Sequence, residues 1–134
     1  GDIGCGVKYF SQDGIVKLSP RAGIALSDKL TQAQKLKEVQ KLAEQDMPPA
    51  MAVYDSIGCY LGHTLPFYAR FYDIKHLLLL GRVTSGKGGE HMLERCRKVL
   101  KEEYPELSIN IVLPDENSRR VGQSVAAAGL PSIK

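Results

Sequence analysis

The sequence predicts an α/β fold, a mixed sheet begun by a hairpin with amphipathic helices packed on it. Three observations carry that expectation. Leu77 to Leu80 is a continuous apolar run, the pattern of a central parallel strand covered on both faces. It runs straight into a glycine-rich turn, Gly81 to Gly89, and then into helical periodicity. A second apolar run, Ser108 to Leu113, follows after a crossover long enough to make the two strands parallel and the connection right-handed.

In order along the chain, Ile3 to Phe10 reads as a strand, Ser11 to Gly14 as a turn and Ile15 to Leu18 as the partner strand, with Asp13-Gly14 as the corner signal. Ser19 to Ser27 reads as a loop containing Pro20 and Gly23. From Thr31 to Gln45, Leu36, Val39, Leu42 and Ala43 share one face while Lys, Gln and Glu occupy the other, which predicts a helix of about four turns, ended by Asp46 to Pro49. Ala50 to Tyr72 carries Val53, Tyr54, Ile57, Leu61 and Leu65 at helical spacing, with Gly58 and Gly62 as small residues allowing close packing and Pro66 expected to kink or divide the run. Glu90 to Tyr104 is a further amphipathic helix, with Met92, Leu93, Cys96, Val99 and Leu100 on one face and Pro105 as its stop. Asp115 or Asn117 is placed to cap a last helix through Ala128, before Gly129 and Pro131.

A chain of 134 residues has room for one domain with a real core, so residues 1–134 are taken as one unit. Its opening, Gly1 to Phe10, looks like the middle of a structural unit, as if the domain were cut from something longer. The net charge of +3 is mild and mixed with acids, which points away from nucleic acid. Cys5, Cys59 and Cys96 form no CxxC pair, as expected of reduced packing thiols in the cytoplasm. With no membrane-length apolar run and no leader pattern, a soluble protein is expected.

The chemistry-bearing candidates are glycine clusters. Gly81, Gly86, Gly88 and Gly89 let a ligand approach the backbone closely, and the helix that follows offers unpaired N–H groups to an anion. Gly81 to Lys87 matches the P-loop pattern GxxxxGK, but Gly88 stands where the magnesium-binding Ser or Thr belongs. Gly4 and Gly6, read as a hairpin tip, make a second candidate phosphate turn, and together the two suggest a split nucleotide site. The competing readings are a strand-to-helix turn with a surface Lys87, and glycines that relieve crowding beside a helix. His63, His76 and His91 lack partners at metal spacing, and Ser124 lacks the strand-turn setting of a nucleophile.

The ordered set of Gly1 to Val7, Tyr60-Leu61-Gly62, Leu77 to Val83, Met92 to Leu100, Ile109 to Leu113 and Gly122 to Ala128 resembles the C-terminal lobe of the ROK family of sugar kinases and repressors. That family belongs to the actin-like ATPase superfamily. The resemblance covers nearly the whole chain. It implies a ribonuclease H-like lobe, the C-terminal nucleotide-binding half of a two-lobed protein using ATP and Mg2+, and a sugar-like substrate held with the other lobe. Asp2, Gly4 and Gly6 would lie near the phosphates, Gly81, Arg82, Thr84, Ser85 and Gly86 near the adenosine, and Lys87 would be the residue to reach a phosphate. A homodimer is compatible with it.

The chain also departs from the family. Gly1 and Asp2 replace its Thr-Gly, and Arg82 replaces the second glycine of the adenosine turn. Pro20 to Ile24 supplies none of the zinc cysteines or the sugar-holding Glu and His. The catalytic Asp would lie before Gly1, so this half alone is expected to transfer nothing. Two other readings stand beside this one, a member of the fold that has lost transfer chemistry and serves as a regulatory or interaction module, and a P-loop-type hydrolase that depends on Lys87.

Overall fold

The computed structural model describes residues 3–114. Two short helices open it, α1 (Val7–Phe10) and α2 (Gln12–Leu18), followed by a 3-10 turn at Pro20–Ala22. Then come α3 (Gln32–Glu44), α4 (Pro48–Ala69), β1 (His76–Leu78), a 3-10 turn at Arg82–Thr84, α5 (Gly86–Glu103) and β2 (Asn110–Val112). The two strands pair in parallel, Leu77 opposite Ile111, so the chain is α/β with helix predominant.

The expected opening hairpin is corrected: Ile3 to Leu18 forms no strand, and Ser11 to Gly14 starts a helix instead of turning a corner. The Ser11 hydroxyl accepts from the Asp13 N–H as an N-cap, and Asp13 then sits favourably in the first turn. Gly14 is buried, and a side chain there would run into the Tyr9 carbonyl and the Ile57 side chain. The Asp-Gly pair therefore serves helix packing.

The helices arise where the periodicity places them. Thr31 and Gln34 form a capping box that starts α3, accepting from each other's backbone N–H groups. Pro48 and Pro49, expected to end α3, in addition begin α4, where their missing N–H groups cost nothing. Pro66 falls in the last turn of α4, and the helix continues undivided to Ala69. Helix α5 begins at Gly86, four residues before the expected start.

Helices α4 and α5 run side by side in the same direction, in contact through glycine. A side chain at Gly58 would collide with the Met92 carbonyl, and one at Gly62 with Val99. The close approach assigned to these two glycines is what the structure contains. One cluster of the core joins Ile15, Leu36, Val39, Val53, Ile57 and Met92; the other joins Leu61, Leu65, Leu93, Cys96, Leu100 and Ile111. Helix α4 supplies both. The sheet is covered on one face only among the described residues, because Leu77, Leu79 and Ile111 turn toward α4 and α5 while Leu78 and Leu80 are about half exposed. Of the two faces expected to be covered, the described residues cover the one that carries Leu77 and Leu79. The predicted last helix and Ser124 lie outside the described residues.

Candidate functional site

The glycine-rich turn leaves the C-terminal end of β1 and is shaped by its backbone. Gly81 has φ 119°, a conformation open to glycine and strained for other residues. The next three residues close a 3-10 turn in which the buried Thr84 hydroxyl donates to the Gly81 carbonyl at 2.8 Å. Gly86 again has positive φ, 68°, and Ser85 stands at the N-cap of α5. A side chain at Gly88 would enter the Tyr54 ring and one at Gly89 would meet the Thr84 backbone. These two glycines let the helix seat itself against α4 and its own turn.

The end of α3 holds this turn from outside. Gln40 donates its side-chain amide to the Arg82 carbonyl at 2.8 Å. One helical turn on, the Glu44 carboxylate accepts from the Lys87 N–H at 2.9 Å, where the partial positive charge of the α5 N-terminus is concentrated. The Lys87 ammonium pairs with Asp46 at 2.6 Å. That hydrogen bond raises the Lys87 pKa above its ordinary 10.5, the nearby carboxylates adding to it. The anion at the start of α5 is thus the chain's own.

An open cleft of about 460 Å³ lies on the other side of the turn, between Leu80 to Val83 and the α1–α2 pair. Phe10 and Val83 give it apolar walls, Gln12 an amide, and exposed Arg82 a cation. Lys8 and Asp13 also line it and pair with each other at 3.2 Å. Such a volume suits one small molecule.

The residues expected from the sequence to share one site fall into three places. Gly81 and Arg82 line the cleft. Thr84, Ser85, Gly86 and Lys87 belong to the turn and to the seam with α3, with Gly86 directly against the Glu44 carboxylate. Gly4, with φ 85°, and Gly6, the N-cap of α1, face a different hollow beside Tyr9, Tyr60 and Tyr68. They sit in a turn entering a helix rather than at a hairpin tip. Asp2 lies outside the described residues. Lys8, Gln12 and Asp13 entered the cleft without a sequence signal, because their place depends on the helical course of residues 7–18.

Other ionisable groups have ordinary partners. His63 Nδ1 lies 3.0 Å from the Tyr104 hydroxyl, His91 3.4 Å from Asp55, and His76 3.4 Å from Asn110. Burial pushes the Cys96 thiol up to about 12, which leaves it protonated and unreactive. Among the described residues no three His, Cys, Asp or Glu gather as metal ligands, and no helix is long and apolar enough to cross a membrane. No family model, curated protein or solved structure matches the chain.

Proposed function

We propose that the chain is the nucleotide-holding half of an ATP-dependent kinase-like protein of ribonuclease H-like, actin-like ATPase fold, whose acceptor is a sugar or another small hydroxylated molecule. The observation that carries this reading is the cleft at the C-terminal end of β1, where parallel α/β sheets hold their ligands. In this reading the adenosine lies along Gly81, Arg82 and Val83, whose backbone it can approach because Gly81 has no side chain. Phe10 offers an apolar edge to the base, and Lys8 and Gln12 face the phosphates from α1 and α2. The magnesium that travels with ATP is held largely by phosphate oxygens and water, and so asks little of the protein. Transfer needs the second lobe, which supplies the base for the acceptor hydroxyl.

The test is calorimetric titration with magnesium-ATP and with ADP. Binding in the micromolar to millimolar range is expected, and Gly81→Val abolishes it by placing a branched side chain in the cleft mouth at a strained φ. Arg82→Ala, which leaves the backbone alone, weakens it less. Heat that is unchanged in both variants overturns the reading.

A second reading, an interaction module without transfer chemistry, is favoured by Glu44, which already fills the anion position at the start of α5. It predicts no heat and no thermal shift with millimolar nucleotide. A P-loop mechanism requires Lys87 for affinity, and an unchanged ATP affinity in Lys87→Ala removes it.

A further inference from the structure

Beside the α1–α2 pair lies a further open basin, of about 530 Å³, that shares only Lys8 with the cleft at Gly81 and adjoins the hollow beside Tyr68 through Gly4, Tyr9 and Tyr60. Its charge is one-sided. Lys8, Lys17 and Arg21 line it, and among the described residues no carboxylate does. Among the described residues the one acid that engages these cations is Asp13, which meets Lys8 from the cleft side. Among the described residues the side chains of Lys17 and Arg21 form no ion pair and no hydrogen bond, so both are free to engage a ligand. They stand four residues apart, Lys17 in the last turn of α2 and Arg21 in the following 3-10 turn. The opposite wall is aromatic. Tyr9 from α1 and Tyr60 from α4 meet edge to face, ring centres 6.4 Å apart, and both are about two-fifths exposed.

Lys17 and Arg21, cations without an acidic partner among the described residues, raise the local concentration of anions at this hollow, and an exposed aromatic pair offers a planar body a surface to lie on. Arg21 adds a planar fork suited to two oxygens of one phosphate or carboxylate. Three cations around a concave space fit one small molecule, whereas a polynucleotide would need an extended basic track.

We propose that this basin binds a small anion, a phosphate or carboxylate, attached to a planar ring. Lys17 and Arg21 take the charge, and Tyr9 and Tyr60 take the ring. The proposal does not require a nucleotide in the neighbouring cleft.

The probe is phenyl phosphate, titrated by calorimetry into the full chain at low salt, with inorganic phosphate alongside to separate the charge from the ring. Saturable binding of phenyl phosphate is expected, weakened about tenfold in Lys17→Ala and in Arg21→Ala. Tyr60→Ala weakens phenyl phosphate about fivefold and leaves inorganic phosphate unchanged. Lys17→Arg, which keeps the charge, retains binding and guards against a merely structural effect. All of these side chains are at least partly exposed, and circular dichroism checks that each variant folds. Absence of saturable binding at about 10 mM, or equal affinity in the Lys17→Ala, Arg21→Ala double variant, overturns the proposal. Equal affinity for the two probes overturns the ring's part in it. Gly81→Val leaves phenyl phosphate binding intact, so failure of the nucleotide cleft and failure of this basin read out separately.

Discussion

Replacing Tyr54 by Phe is expected to stabilise the protein, the opposite of the usual result for a buried tyrosine. Tyr54 is fully buried in α4, beneath Gly88, and its hydroxyl has no hydrogen-bond partner among the described residues. An unsatisfied buried hydroxyl costs about 1–3 kcal/mol relative to its hydrated state. Removing it leaves the ring in contact with Gly88 and opens only an oxygen-sized void, so the net gain is about 1 kcal/mol, or roughly 4 °C in Tm for a chain of this size.

A second signature appears at high pH. Burial, and then the Glu44 carboxylate, hold the Tyr54 phenol well above its ordinary 10.0. The unfolded phenol loses its proton above pH 10.0 while the folded one keeps it, so the native state binds the extra proton and stability falls as pH rises beyond that point. Below pH 10.0 this contribution is fully present. The slope is about 1.4 kcal/mol per pH unit. Phe has no such proton to lose, so its advantage at about pH 11 grows to roughly 2–2.5 kcal/mol. Urea unfolding of both proteins at about pH 7, 10 and 11 measures this. A variant less stable than wild type by about 1 kcal/mol at neutral pH would show that the hydroxyl is bonded in the native state, and a stability difference that stays constant up to pH 11 would refute its ionisation on unfolding.

Three further outcomes follow from the same packing. Gly58→Ala drives a methyl group against the Met92 carbonyl, which cannot rotate away. Overpacking of about 3 kcal/mol, less the roughly 1 kcal/mol that Ala gains in helix propensity, leaves a loss near 2 kcal/mol; a thermal midpoint at or above wild type would mean the α4–α5 seam is looser than described. Glu44→Ala removes the acceptor at the α5 N-terminus and is expected to cost about 1 kcal/mol, with Glu44→Gln recovering about half and losing the salt dependence; equal unfolding curves for all three proteins would deny the cap. An aromatic disulfide reagent is expected to label exposed Cys5 at once and buried Cys96 only at the rate of unfolding, and rapid loss of both thiols would contradict the burial that raises the Cys96 pKa.

Much of the architecture was legible in the residues. The apolar faces of α3, α4 and α5 repeat at the helical period, and that period follows from backbone geometry alone. The parallel pairing of β1 with β2 followed from the length of the crossover, and the approach of α4 to α5 from the spacing of Gly58 and Gly62. Two local signals were ambiguous. Ser11 to Gly14 satisfies both a hairpin corner and a helix start, and in the helix Gly14 sits against the neighbouring Tyr9 carbonyl and the Ile57 side chain of α4. In the apolar run Leu77 to Leu80, α4 and α5 cover the side that carries Leu77 and Leu79, while among the described residues nothing buries Leu78 and Leu80, which are about half exposed.

The candidate site was less legible, since a missing side chain has no address. Gly86, Gly88 and Gly89 are written alike whether the space they leave admits a phosphate, a carboxylate or a ring. In the folded chain that space is taken by Glu44, Tyr54 and the Thr84 backbone, from α3, α4 and the preceding turn. The cleft beside Gly81 likewise depends on α1 and α2, whose positions no local pattern encodes. The sequence by itself determined where the main helices run and that the strands lie parallel, because those properties belong to segments and their spacing. What fills the room beside each glycine, and which cations stand without a counter-charge, was decided only by the tertiary structure, because both depend on residues that folding brings together from distant parts of the chain.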